Sequence, residues 1–207
     1  MYYLSLGITI DSENILFAII IIWIITRSYI LYRRKKRGKP LLLGKEVINN
    51  LFYIYLLLLI YITLIPINIY FGDKSQFINN TSLTRRLGIN LIPFYDYYSS
   101  VKAFGIETIN IYFIRSIIGN ILLLIPFTLY LCSYVSKIRT IKNTLVVSFI
   151  ISLSIELLQL VENYLNKSPY RTVNVDDLIL NTLGGILGYF TFKVLYKTKL
   201  KAILNIT

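Results

Sequence analysis

The chain has 207 residues, of which 56% are hydrophobic and only 15% are charged, and its mean hydropathy is +0.63. The chain contains several apolar runs, and their lengths are close to what a helix needs to cross a bilayer, roughly 20 residues. This composition excludes an ordinary soluble domain and predicts an integral membrane protein.

Five apolar segments predict five transmembrane helices. The segments cover about residues 14–32, 47–71, 112–134, 145–165 and 178–196. A helix satisfies its own backbone hydrogen bonds in lipid, whereas an open strand does not, so the predicted fold class is all-α. We therefore expect a polytopic helical bundle, with kinks at Pro66 near the end of the second segment and at Pro126 inside the third.

The basic residues are distributed unevenly between the two sides of this five-helix arrangement. Fourteen of them lie in residues 33–46, 136–144 and 193–201, whereas seven lie on the opposite side. The positive-inside rule then predicts an N-terminus outside the cell and a C-terminus inside. Because membrane orientation explains the net charge of +12, we exclude nucleic acid as a partner.

Several common catalytic sites are excluded by composition. The chain has no histidine, and its single cysteine, Cys132, lies inside the third segment. A Ser-His-Asp triad and a Cys-His pair are therefore excluded, and no phosphate-binding GxxxxGK[ST] loop is present. No metal site and no cofactor are predicted. Any chemistry would rest on carboxylates, Arg, Lys, Tyr or amides, and whether the protein is an enzyme stays open.

The fourth segment carries polar residues that are costly in lipid. Glu156 and Gln159 are three residues apart and share a helix face with Ser152. An ionisable side chain at the bilayer centre costs roughly 2.5–3.5 kcal/mol, so Glu156 should face protein or water. It is a candidate contact for a substrate, proton or cation, and the alternative is a structural hydrogen bond. Glu162 is expected to be solvated at the membrane interface.

The loop that follows leads into the fifth segment through Asp176 and Asp177. Carboxylates there favour the positive end of the helix dipole, and Asp176 is the expected N-cap. Asn181 shares a face with Asp177, and Gly184 and Gly188 continue that face. Small residues at this spacing predict close helix packing.

Arg115 opens the third segment, and its guanidinium suits a two-pronged contact with a carboxylate or phosphate. The alternative is snorkelling to the head groups.

The aromatic 72–115 connection is expected to lie on the membrane surface or to re-enter as a lid. We expect one polar cleft, open to the outer leaflet, with the following candidate ligand-binding residues: Asn90, Arg115, Asn120, Glu156, Gln159, Arg171, Asp176, Asp177 and Asn181.

Three blocks resemble the VanZ-like family of bacterial membrane proteins. They are residues 90–94 (NLIPF), 115–127 (RSIIGNILLLIPF) and 154–188, with the membrane Glu and Gln followed by Arg, Asp-Asp, Asn and glycines. Family members often carry Asp in place of Asn174 and Gly in place of Thr128. The resemblance begins at the second segment, which predicts a VanZ-like helical domain over residues 47–207. Residues 1–46 would add a transmembrane helix and a basic cytoplasmic loop.

The resemblance implies a multi-pass protein of the bacterial cell membrane that lowers susceptibility to teicoplanin-type lipoglycopeptides. Its implied partners are the lipid bilayer and a lipid-linked cell-wall precursor or the lipoglycopeptide itself.

Three hypotheses for the function of the protein remain. The first is a non-enzymatic module whose cleft binds a lipid-linked or anionic envelope ligand. The second is a membrane-embedded enzyme with Glu156 as general base, assisted by Asp176 and Asp177. The third is a lipid or small-molecule transporter, which the lack of an evident inverted repeat disfavours.

Overall fold

The computed structural model describes residues 7–10, 12–38, 43–65, 67–70, 84, 87–106, 111–166 and 171–197. Within these residues, five helical segments are long and apolar enough to cross a membrane. They are Leu16–Lys36, Gly44–Leu64, Phe113–Tyr134, Ile141–Asn166 and Val175–Tyr196. Their number and order match the five predicted segments, so the prediction of an all-α polytopic bundle is confirmed.

In chain order, the described residues form the following helices and strands. The helices are α1 Ser12–Lys36, α2 Leu43–Leu64, α3 Tyr95–Phe104, α4 Ile111–Leu123, α5 Ile125–Tyr134, α6 Ile141–Asn166 and α7 Val175–Tyr196. A 3-10 turn, Ser136–Ile138, connects α5 to α6. Two small strand pairs flank the bundle. The antiparallel pair is β1 Gly7–Ile10 with β2 Ile67–Tyr70, and the parallel pair is β3 Ile89–Asn90 with β4 Val173–Asn174.

The second span ends earlier than the sequence predicts. The expected segment runs to residue 71, but α2 ends at Leu64, and Ile67–Tyr70 forms β2. A proline follows at position 66, and the residue before a proline disfavours helical backbone angles. The apolar residues after Leu64 therefore lengthen the apolar segment of the sequence, but they do not lengthen the helix.

The third span is divided at Leu124, between α4 and α5. Leu124 has φ −99° and ψ 0°, and Pro126 follows in the first turn of α5. A proline lacks the N–H that would continue the helix, which agrees with the predicted kink. The hydroxyl of Tyr55 on α2 donates to the carbonyl of Leu123 at 2.7 Å, so the break also contacts the second span.

Helix α7 is the centre of the bundle and packs against α4, α5 and α6. Its glycines make the approach close, because a Cβ atom at any of three positions would overlap a neighbouring helix. The contacts are Gly184 with the backbone of Ile121, Gly185 with Ser148, and Gly188 with Thr128 and the backbone of Ile125. The predicted tight packing of the fifth span is confirmed.

Much of the buried interior is polar rather than apolar. Thr128, Thr144, Ser148 and Ser152 are fully buried between α5, α6 and α7, whereas many Ile, Leu and Val side chains are exposed on the outside of the bundle. This is the expected distribution in lipid, where small and weakly polar residues hold helices together and apolar side chains face the bilayer.

Helix α1 lies at the edge of the bundle, and none of its apolar window is buried. Trp23 stacks on Tyr53 of α2 with ring centroids 5.3 Å apart. Near the basic end of the helix, Arg27 and Arg34 both form ion pairs with Glu46 of α2. The first span is thus attached mainly through α2 and contributes little to the core.

Candidate functional site

Many polar side chains lie where the C-terminal half of α6 meets the N-terminus of α7. Glu156 of α6 is buried, and one of its carboxylate oxygens accepts the backbone N–H of Asn174 at 3.0 Å. The side-chain oxygen of Asn174 accepts the N–H of Asp176 at 3.0 Å, so Asn174 is the N-cap of α7. The expectation that Asp176 is the cap is therefore wrong. The Asn174 amide oxygen serves as the cap.

Asp176 instead holds a distant loop. It is fully buried, and its Oδ1 accepts the backbone N–H of Phe94 at 2.7 Å. Phe94 has φ 57°, a left-handed conformation that is strained for a side chain of this size. Asn90 stabilises the same loop by donating to Asp96 at 2.9 Å and by accepting the N–H of Ile92 at 3.2 Å. Hydrogen bonds with Asp176 and Asn90 thus hold the NLIPF block.

Asn163 of α6 hydrogen-bonds to three backbone groups, and it is not among the residues predicted from the sequence. Its side-chain nitrogen donates to the carbonyls of Leu87 at 2.8 Å and Arg171 at 2.6 Å. Its oxygen accepts the N–H of Arg171 at 3.0 Å. A signal was present, because Asn163 continues the polar stripe of Ser152, Glu156 and Gln159 at helical spacing.

Arg171 reaches the end of α2. Its guanidinium donates to the carbonyls of Ile62 at 3.2 Å and Ile65 at 2.8 Å, where a helix leaves backbone acceptors without partners. Its Nε lies 3.6 Å from a carboxylate oxygen of Glu162, which is only 5% exposed. The expectation that Glu162 is solvated is therefore wrong. Pairing with Arg171 allows its burial.

A cleft of about 380 Å³ lies beside these contacts, open on one side. Residues of α3, α4, α6, α7 and the loop before α7 surround it: Asp96, Tyr97, Phe113, Ser116, Gln159, Arg171, Thr172, Asn174 and Asp177. Gln159 also donates to the carbonyl of Thr63 at 2.9 Å. Asn120 of α4 donates to Asp177, which holds that carboxylate at the cleft wall.

The charge in the cleft is predominantly negative. Asp96 and Asp177 both line it, and Asp177 interacts electrostatically with the carboxylates of Glu156 and Asp176 behind the wall. The one guanidinium in the lining, that of Arg171, is already paired with Glu162. Among the described residues, no group of three or more His, Cys, Asp or Glu side chains is arranged to hold a metal ion. The arrangement suits hydrogen bonding to a polar group, including an ammonium group.

The nine candidate residues occupy different places around this cleft. Gln159, Arg171 and Asp177 line it. Glu156, Asn120, Asn90 and Asp176 lie one hydrogen bond away from lining or loop residues. Asn181 is buried deeper in the bundle and donates to Ser152 at 3.1 Å.

Arg115 is the exception among the candidates, because it is exposed on α4 and is not among the residues that line the cleft. The structure does not place it where a two-pronged contact with the cleft ligand was expected. Conversely, Asp96, Ser116 and Thr172 line the cleft and were not predicted. Asp96 had a visible signal, as a carboxylate inside the aromatic FYDYY stretch.

Comparison with known proteins agrees with this architecture. The model of the VanZ/LLP1 family matches residues 52–196, more than two thirds of the chain. No significant match was found among curated proteins or among solved structures. The match includes the NLIPF loop, the divided third span and all the residues that line the cleft. This chain, a multi-pass membrane protein, therefore belongs to the VanZ/LLP1 family.

Proposed function

We propose that this protein, in the bacterial cell membrane, lowers susceptibility to teicoplanin-type lipoglycopeptides by binding a lipid-linked envelope ligand in the cleft described above. The observation that carries the proposal is the cleft itself. Its volume of about 380 Å³ falls in the range of small-ligand sites, and polar side chains surround it at one end of the bundle.

The construction of the cleft walls supports a binding role. The polar residues behind the walls hydrogen-bond to loop backbones: Glu156 to Asn174, Asp176 to Phe94, and Asn163 to Arg171. These bonds fix the loops before a ligand arrives. A preorganised site loses less conformational entropy on binding, which favours affinity.

The charge of the cleft narrows the proposed ligand chemistry. Two carboxylates, Asp96 and Asp177, line the cleft, and the guanidinium of Arg171 is paired with Glu162. An anionic group would therefore meet net repulsion there. The proposal favours the neutral or amine-bearing part of a lipid-linked cell-wall precursor, or of the lipoglycopeptide, over an anionic head group.

A second candidate is a carboxylate-dependent enzyme that acts on a lipid-linked substrate. The observation in its favour is that Asp96 and Asp177 face one cleft. Glu156 is a poorer choice of general base than the sequence suggests, because it is buried and accepts the N–H of Asn174. In this version Asp177 would meet the substrate and act as the base.

The test uses teicoplanin-sensitive cells that express the parent chain, Asp177→Asn or Arg115→Gln at equal membrane levels. Asp177→Asn removes a charge but keeps an acceptor for Asn120. Arg115→Gln is the matched control, because it removes a charge outside the cleft. Binding of fluorescent teicoplanin and growth inhibition are measured together. We expect the parent and Arg115→Gln to lower both binding and sensitivity, and Asp177→Asn to lose most of the effect.

Two results would count against the proposal. A parent chain that changes neither binding nor sensitivity removes the resistance role, and an Asp177→Asn variant as active as the parent removes the role of the cleft. Mass spectrometry of extracted lipids separates the two candidates. A lipid species that depends on the parent chain and disappears with Asp177→Asn identifies an enzyme.

A further inference from the structure

A second cavity, of about 250 Å³, lies between α2, α5 and the end of α7. It is separate from the polar cleft, and no residue lines both. Its lining is mostly apolar and aromatic, with Leu51, Phe52, Leu129 and Tyr130 among the contributors. Leu51 is 60% exposed at its rim, so the cavity is a groove that opens toward the surrounding lipid.

The floor of the groove suits a hydrocarbon chain. The rings of Phe52 and Tyr130 stack with centroids 3.7 Å apart and nearly parallel planes. The polar groups nearby have protein partners. The hydroxyl of Tyr130 donates to Asn49 at 3.0 Å, and that of Ser133 donates to the carbonyl of Leu129 at 2.8 Å. A polar solute would find few partners there, whereas a hydrocarbon chain can lie along the aromatic faces.

One end of the groove carries positive charge. The Nζ of Lys45 lies 5.1 Å from the ring centroid of Tyr134, and Arg139 donates to the carbonyl of Ser133 at 3.1 Å. Tyr134 and Ser133 both line the groove. Nearby, Arg27 and Arg34 share the single carboxylate of Glu46, which leaves a net positive charge.

We propose that this groove binds one acyl chain of an anionic phospholipid, with the lipid phosphate beside Lys45 and Arg139. The apolar floor provides the place for the chain, and the cations at one end provide the complement for the phosphate. Lys45 lies in the first turn of α2 and Arg139 lies just before α6, at the ends of membrane-spanning helices, where the head groups of a bilayer lie. The inference does not depend on the ligand of the polar cleft.

Bromine quenching of a single tryptophan tests the proposal on the full chain. Trp23 is the only tryptophan of the chain, so Trp23→Phe provides a parent without tryptophan fluorescence. Leu51→Trp places a reporter at the groove rim. Phe149→Trp places a matched reporter on the exposed face of α6, eight residues into its helix, as Leu51 is in α2. Vesicles contain brominated phosphatidylglycerol or brominated phosphatidylcholine with identical chains.

We expect the groove reporter to prefer phosphatidylglycerol over phosphatidylcholine by at least about fivefold, the factor expected for each basic side chain near a charged lipid. The α6 reporter should show a ratio near one. Lys45→Gln should bring the groove ratio down toward the control, whereas Lys142→Gln, at the exposed start of α6, should leave it unchanged.

Equal lipid ratios at the two reporters would show ordinary surrounding lipid and overturn the proposal. This comparison needs no charge variant, so it remains decisive if Lys45→Gln does not fold. A groove preference that is undiminished in folded Lys45→Gln would overturn the assignment of the phosphate to the Lys45 end. Circular dichroism and a single symmetric size-exclusion peak establish that each variant is folded.

Discussion

Asn163 illustrates the role of single polar residues in this protein. It is fully buried, and it satisfies backbone groups of two separate chain segments, at Leu87 and Arg171. An unpaired backbone group costs several kcal/mol in lipid, so a side chain that pairs with such groups is strongly stabilising there. Glu156 and Asp176 act in the same way on Asn174 and Phe94. The main role of these buried polar side chains is therefore to stabilise the loops to which they hydrogen-bond.

We predict that Asn163→Ala lowers the free energy of unfolding by about 3 kcal/mol, because it leaves three partly buried backbone groups without this partner. Asn143→Ala is the control, since Asn143 lies exposed on the same helix and donates to one carbonyl, that of Lys137. Its cost should stay within about 1 kcal/mol. Unfolding in detergent, followed by circular dichroism, measures both. Equal costs would contradict the assigned role of Asn163.

Arg171 and Glu162 should behave as a coupled pair. Removing one partner leaves a buried charge, so Arg171→Met alone should destabilise the protein by about 3–5 kcal/mol. Adding Glu162→Gln removes that charge and should restore part of the loss. We expect a double-mutant cycle to give a coupling free energy of at least about 1 kcal/mol. Additive effects of the two substitutions would show that the 3.6 Å contact is not an important ion pair.

At the scale of helices, the position of α7 depends on residues without side chains. Gly184, Gly185 and Gly188 face three different helices, and each lies too close to a neighbour to accept a Cβ. Dispersion contacts and close backbone approach replace the hydrophobic effect as the source of helix association in lipid. The break between α4 and α5 gives α7 two differently oriented surfaces to pack against, at Ile121 and at Thr128.

Gly184→Ala should therefore destabilise the bundle by at least about 1–3 kcal/mol, because the new methyl group meets the backbone of Ile121 and a backbone cannot rotate away. Gly119→Ala provides the opposite case on α4, where nothing lies within 4 Å of an added Cβ. It should be neutral or stabilising by about 0.5–1 kcal/mol. Thermal unfolding in one detergent compares the two. Similar losses for both would argue against close packing at Gly184.

At the scale of the whole molecule, the two ends of the bundle differ in chemistry. One end carries Arg33, Arg34, Lys35 and Lys36 at the end of α1 and Lys137 and Arg139 near the 3-10 turn. The other end carries the carboxylate-rich cleft. We propose that the basic end faces the cytoplasm, as the positive-inside rule predicts, which places the cleft at the outer surface.

Cysteine labelling in intact cells checks this orientation. With Cys132→Ala as background, Thr172→Cys lies at the cleft and Ser136→Cys lies at the basic end, and both positions are exposed. A membrane-impermeant maleimide should label Thr172→Cys in intact cells and Ser136→Cys only after permeabilisation. The reverse pattern would place the cleft inside the cell, where it does not meet lipoglycopeptides.

The sequence by itself determined the number and order of the spans, the all-α class and the family. Hydropathy and charge patterns depend on residues that are contiguous in the sequence, so they can be recognised before the fold is known. Only the tertiary structure decided which residues form the cleft. It showed that Asn174, not Asp176, caps α7, that Glu162 is buried with Arg171, and that Arg115 lies apart. These outcomes depend on partners far away in the sequence, such as Phe94 and Asp176, which are 82 positions apart, and packing alone brings such residues together.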